Sequence, residues 1–225
     1  MISALFRAFA QLSDPASRRV IGIALVSSIA AYTLLALGVW WALFHTALVD
    51  YAWVDWAISL LGGLLVLALA WFLFPATVGM VSSLFLEDIL KAVEQRHYPW
   101  LPPPIHRSMW QEIGTALRFL VLVIVINILA LPLYLATPGL NILIFYTVNG
   151  YLLGREYFEM VAVRRLGTAE ARLMRRSHPL KPFSAGLIIA FLSTIPLINL
   201  LVPVIASALM VHIFQSMRER LPPAG

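Results

Sequence analysis

VIGIALVSSIAAYTLLALGVWWALF, residues 20–44, is a run of 25 residues without one formal charge. At 1.5 Å per residue, a helix of that length reaches about 37 Å, enough to cross the hydrocarbon core of a bilayer with some tilt. Trp40 and Trp41 near its end suit the aromatic belt at a membrane–water boundary. Upstream, Ser13-Asp14-Pro15 reads as a helix start, with Asp14 as N-cap and Pro15 at the first helical position. The stretch predicts a transmembrane helix, and with it an all-α integral membrane protein.

The rest of the chain agrees in composition. Of its 225 residues, 61% are hydrophobic and 12% charged, and the mean hydropathy is +0.87. A soluble fold of this size cannot hide so much apolar surface, so lipid must be part of its solvent. The length accommodates a single membrane domain over residues 1–225 and no separate soluble module. Cysteine is absent, which excludes disulfides, thiolate metal sites and cysteine nucleophiles. His45, His97, His106, His178 and His212 are scattered without metal-ligand spacing, so neither metal nor cofactor is expected. A phosphate-binding P-loop and a nucleophile elbow are both missing, and no enzyme activity is expected. The net charge of +5 sits at the ends of apolar stretches rather than along a stripe with interleaved aromatics, which argues against nucleic acid.

Outward from the first span, residues 1–12 put Ile2, Leu5, Phe6, Phe9 and Leu12 on one helical face, as in an amphipathic helix lying in the membrane interface. A secretory signal is the alternative, but the apolar run after Arg19 is too long for one. Beyond the polar turn His45–Asp55, a second apolar run covers Trp56 to Leu73 and is kinked by Pro75. It continues as an amphipathic helix through Val81, Leu84, Phe85, Ile89 and Val93, with Glu87 and Lys91 paired one turn apart. Pro99 to Pro104 form a stiff loop. A third apolar region, Leu117 to Leu153, is broken by Pro132 and by Pro138-Gly139. A fourth, Phe183 to Phe214, is broken by Pro196 and Pro203. Between them Arg155 to Lys181 reads as a basic helix followed by a short second one.

All sixteen lysines and arginines fall on one side if the first two runs cross and the last two are hairpins that return to their side of entry. By the positive-inside rule that side is the cytoplasm, and both termini lie there. Six complete crossings give the same partition. Stretches such as Asn141 to Leu153 and Phe183 to Ile195, 13 residues each, are short of the roughly 20 a crossing takes, which favours re-entrant or partly inserted hairpins.

Several polar groups have two readings. Arg155, Glu156 and Glu159 follow an apolar helix directly, so they either line a pathway or form a local ion pair at a helix end. Asn127, Asn141, Asn149 and Asn199 line a pore or cap breaks and hold helices together. Gly150 and Gly154 bring two helices close, within one chain or between protomers.

Three stretches carry a family resemblance. They are Leu12-Ser13-Asp14-Pro15-Ala16-Ser17-Arg18-Arg19, Glu156-Tyr157-Phe158-Glu159, and Ile195-Pro196-Leu197-Ile198-Asn199-Leu200-Leu201-Val202-Pro203-Val204. In them the chain resembles the CysZ sulfate-permease family and, more broadly, the etoposide-induced membrane-protein superfamily. The resemblance implies two long transmembrane helices plus two partly inserted helical hairpins, a homo-oligomer, and ATP-independent uptake of sulfate or a similar oxyanion across the bacterial inner membrane. It places an anion site at Ser13, Ala16, Ser17, Arg18 and Arg19, with Arg155, Glu156, Glu159 and Asn199 as pathway candidates.

A helix N-terminus with forked arginine donors suits a tetrahedral oxyanion. The bland reading of Arg18-Arg19 is a topology anchor. Two positions depart from the family pattern. Ala16 stands where the family has glycine, and Asp14 can cap the same N–H groups and repel an anion. The alternative function is a non-transporting scaffold or envelope-maintenance protein of the same superfamily.

Overall fold

The structure, a computed structural model, describes residues 2–45, 60–64, 68, 85–105 and 108–218. Regular structure among them is wholly helical. The order is α1 (Ile2–Ala10), a 3-10 turn (Gln11–Ser13), α2 (Pro15–His45), α3 (Leu86–His97), α4 (Met109–Ala136), a second 3-10 turn (Pro138–Leu140), α5 (Asn141–Ser177), α6 (Leu180–Ser193), α7 (Pro196–Asn199) and α8 (Val202–Arg218). The expected second span, Trp56 to Leu73, is helical at residues 60–64 and 68. The rest of that span, the turn before it, the Pro75 kink, Val81 and Leu84 lie outside the described residues.

The core is built around α8. Its sequence is apolar on every side, and a helix of that kind is stable only when surrounded. Every residue from Val202 to Gln215 is buried, against α1, α3, α5 and α6. Pro203 does not break α8, because it sits in the first turn, where a missing N–H costs nothing. Ser207 hides its hydroxyl by donating to the Pro203 carbonyl oxygen at 2.6 Å.

Helices α2 and α4 lie at the periphery and have the opposite character. Each is long and apolar enough to cross a membrane, over Pro15–Trp41 and Ile113–Ala136, yet only 17% and 6% of the residues in their most apolar windows are buried. A core helix of a soluble protein would be mostly buried. Leu34, Leu37, Ile128, Leu129 and Leu131 stand exposed on them instead. So much contiguous apolar surface is stable only against lipid, and the chain is a membrane protein.

Of the two breaks expected in the third apolar region, at Pro132 and at Pro138-Gly139, the first does not occur, and the helix runs through Pro132 to Ala136. Pro132 forfeits the hydrogen bond to the Ile128 carbonyl, a loss that membrane helices accommodate, and the helix continues through it. The break falls at Thr137, whose N–H and hydroxyl both close onto the Leu133 carbonyl, at 3.0 and 2.6 Å. Asn141, with its amide nitrogen turned toward them, donates to the carbonyls of Thr137 and Tyr134 at 3.1 Å. Asn127 and Asn149 donate back to Val123 and Phe145 in their own helices, at 2.8 and 2.9 Å. These three amides serve backbone, as caps and internal bonds.

α1 is three-sided rather than simply amphipathic. Ala8 and Gln11 are buried, with Ala4, Leu5 and Leu12 packed beside them on the core, while Ile2, Phe6 and Phe9 form a separate exposed stripe. The apolar face that sequence unites is therefore divided between protein and surroundings. α3 begins at Leu86, with Phe85 outside helical geometry, and buries Ile89, Leu90 and Val93. The Glu87–Lys91 pair is present at 3.3 Å.

α5 and α6 form the tightest contact of the fold. They run antiparallel, with Gly154 beside Pro182, Gly150 beside Leu187, and the Tyr146 hydroxyl 3.2 Å from Thr194. A Cβ on Gly186 would collide with the Gly150 carbonyl oxygen and stand 2.6 Å from the Gly154 nitrogen. Gly150 and Gly154 thus serve packing within one chain. The substitution Gly186→Ala should cost about 1–3 kcal/mol or more, because backbone has to move. Gly22→Ala and Gly38→Ala, which face open space, should be neutral or slightly stabilising. Thermal unfolding in detergent distinguishes the two classes.

Candidate functional site

α5 is not one straight rod. Gly167 has φ 78° and ψ 173°, a region open essentially to glycine alone, and the helix reverses direction there. Residues 159 and 175 would be about 24 Å apart on a continuous helix. Instead the Arg175 Nε donates to Glu159 Oε1 at 3.1 Å. Arg155, one turn before Glu159, donates its Nε to the same oxygen at 3.0 Å. Two guanidiniums therefore share one carboxylate oxygen, in a setting where all three side chains are 10–14% exposed. Arg155 also lies 6.0 Å from the ring centre of Phe119 on α4. A cavity of ≈ 170 Å³ opens beside the pair, lined by Arg155, Arg175 and Tyr151 and, at the α6 entry, by Pro179, Leu180, Pro182 and Phe183. The group keeps a net positive charge, and Glu159 is met through the Nε of each arginine.

Of the pathway candidates, Arg155 and Glu159 come together and are joined by Arg175. Glu156, on the next side of the helix, is exposed. Asn199 ends α7, where its N–H donates to the Ile195 carbonyl at 2.8 Å. It lies beyond the Thr194 end of α6, whereas Arg155 is level with Pro182. The two are separated by most of the length of that helix.

The start of α2 holds the other candidates. Asp14 has an extended backbone, and its carboxylate accepts from the Ala16 N–H at 3.0 Å, as an N-cap should. Its other oxygen meets Arg96 of α3 at 3.5 Å, which fastens α2 to the core. The backbone donor that an anion would use at Ala16 is thus engaged by Asp14. Ser13 is exposed. Ser17 is fully buried, and its hydroxyl has no partner. Arg18 and Arg19 are both exposed. Nothing in this arrangement converges on a closed anion cage.

A second buried carboxylate, Glu94 on α3, is held by Arg165 in a two-point contact, Nε to Oε1 at 3.1 Å and Nη2 to Oε2 at 2.5 Å. Arg165 also reaches the Pro102 carbonyl, and the Ile105 N–H donates to the Arg164 carbonyl at 2.8 Å. These bonds clamp the proline loop to α5. Sequence separates Arg175 from Glu159 and Arg165 from Glu94 without a local signal. The Gly167 reversal and a contact across 71 residues unite them.

Glu159→Gln should strand two half-buried cations and cost about 3 kcal/mol or more, whereas Arg175→Gln leaves the Arg155–Glu159 pair and should cost less. Gly167→Ala meets no steric obstacle, so its expected penalty of about 1–3 kcal/mol is conformational. Thermal unfolding of the three variants checks both the order and the sizes.

No curated protein and no solved structure matches the chain significantly. A family model does, described as "Sulfate transporter CysZ/Etoposide-induced protein 2.4", and it aligns with residues 4–203. That alignment includes α1 to α7, the Arg155–Glu159–Arg175 group and the start of α2, and on this ground the chain belongs to the CysZ/etoposide-induced protein family.

Proposed function

We propose that the protein is an inner-membrane permease for sulfate or a similar oxyanion, working without ATP and toward the cytoplasm, and not an enzyme. Family membership supplies the substrate class. The observation that carries the reading is the Arg155–Glu159–Arg175 group, in which guanidinium exceeds carboxylate beside a cavity. Forked guanidinium donors suit a tetrahedral oxyanion, and a largely buried setting strengthens each contact. Arg18 and Arg19, being exposed, would act earlier, raising the local anion concentration rather than holding the ion. Asp14 moves the binding task away from the α2 N-terminus and toward these arginines.

The positive-inside distribution supports cytoplasmic termini. At 14 residues, α6 is about 21 Å long, which supports a partly inserted hairpin. Oligomers would cover part of α4. A scaffold without transport is the second reading, favoured by the close apolar packing around α8 and by the exposure of Arg18 and Arg19.

Radiolabelled sulfate uptake into proteoliposomes tests the permease. Saturable flux should fall tenfold or more in Arg175→Gln. It should fall only severalfold in Arg18→Ala/Arg19→Ala, with the deficit largest at low salt. Absence of flux from folded, inserted protein would select the scaffold. The hairpins have a separate test, because the chain has no native cysteine. Ala136→Cys and Asn199→Cys should resist a bulky thiol reagent added from the periplasmic side, and ready labelling of either would place that tip across the membrane.

A further inference from the structure

Between the start of α4 and the reversal of α5 the chain leaves a cleft of ≈ 450 Å³. Trp110, Gly114 and Arg118 line it from α4, and Val163, Gly167 and Thr168 from α5. The three α4 residues are spaced four apart, so they stack turn upon turn on one helical face. Neither glycine obstructs the opening, since a Cβ added to Gly114 or Gly167 would meet nothing within 4 Å.

Arg118 is out of place for a lipid-facing helix. The membrane-crossing stretch of α4 begins at Ile113, so the Arg118 backbone lies about 7.5 Å inside it at 1.5 Å per residue. A guanidinium at that depth is costly unless it reaches the interface and meets an anion. Arg118 is exposed, and among the described residues it has no ion-pair partner. Side chains lean toward a helix's N-terminus, which is the interfacial end of α4. Arg118 therefore snorkels past Gly114 toward Trp110, into the cleft that all three line.

Below the cleft the same face continues as apolar surface. Leu117, Val121, Val125 and Ile128 lie within about 60° of Trp110 at 100° per residue, and all four are exposed. From Leu117 to Ile128 the helix rises about 16 Å, the depth of one leaflet in a hydrocarbon core of roughly 30 Å.

We propose that the cleft and this track form a specific site for an anionic glycerophospholipid of the surrounding leaflet, with its phosphodiester against Arg118 and the Thr168 hydroxyl and an acyl chain along Leu117 to Ile128. Among the described residues that line the cleft none is acidic, so the ammonium of a zwitterionic headgroup finds no partner there. The charge thus selects lipids of net negative charge. The acyl track makes the ligand a constituent of the bilayer, distinct from a soluble ion. The site shares no residue with the Arg155–Glu159–Arg175 group and does not depend on whether the protein transports.

Native mass spectrometry of the full chain tests it, after delipidation in neutral detergent and titration with phosphatidylglycerol or phosphatidylcholine of the same acyl chains. Phosphatidylglycerol should form its first adduct about fivefold more tightly than phosphatidylcholine. Glycerol phosphate, an anion without acyl chains, should bind at least about tenfold more weakly than phosphatidylglycerol. Arg118→Gln should abolish the preference between the two lipids, and Gly114→Leu, which fills the cleft, should weaken the adduct itself. Arg176→Gln, at another exposed cation, should change neither. Arg118 is exposed and makes no ion pair, so thermal unfolding of Arg118→Gln should match that of the native chain. Equal affinity for both lipids in the native chain overturns the proposal, as does a preference that survives Arg118→Gln in folded protein. Binding of glycerol phosphate as tight as that of the lipid also overturns it, because the track would then contribute nothing. So does a native dimer that Arg118→Gln dissociates without altering lipid binding, since the face would then meet a second copy of the chain.

Discussion

Where α5 and α6 cross, the backbone of Gly186 lies so close to those of Gly150 and Gly154 that no side chain fits between them. This approach determines much else. It brings the entry of α6, Pro179 to Phe183, against the level of Gly154 and Arg155, so the cavity beside Arg155 and Arg175 has a wall. Without a hydrophobic driving force between helices in lipid, contact of this kind supplies the attraction through dispersion and close packing. The remaining elements then assemble around α8, which supplies the apolar interior.

Charge inside this protein is handled by pairing that is deliberately unequal. Glu159 serves two arginines, and Glu94 holds Arg165 at hydrogen-bond distance with Arg164 at 3.9 Å. Each carboxylate lowers the cost of burying more than one cation, and each cluster keeps a positive remainder. A structural ion pair seeks neutrality. A surplus of guanidinium in a largely buried setting, as at Arg155 and Arg175, is instead compatible with a visiting anion completing the balance.

The sequence is most legible where a single physical rule acts over many residues. The uncharged run of residues 20–44 becomes α2, and Asp14 caps its start as its side chain and the following proline imply. Periodicity around Ile89 and Val93 identifies the buried face of α3. Legibility fails where the outcome depends on a three-dimensional neighbour. Pro132 has the residue type of a breaker, yet the helix persists through it. The apolar face of α1 is visible, but which of its residues meet protein is decided by α8, some 200 positions later. Arg175 joins Glu159 through one backbone angle at Gly167, and His97 reaches His212 through the docking of α3 on α8. No local pattern encodes either meeting.

The position of α8 at the heart of the bundle has a consequence for biogenesis. α1 emerges from the ribosome early, and the helix it packs against is synthesised after α2 to α7. Until then the faces of α1, α3, α5 and α6 that meet α8 wait for it, and contacts spanning most of the chain form late. The peripheral helices α2 and α4 can enter the bilayer one by one as they are made, since lipid satisfies them without help from the rest. Insertion of α2 and α4 therefore does not depend on α8, the α5–α6 hairpin can close as soon as both its helices are made, and only the contacts with α8 wait for α8 itself.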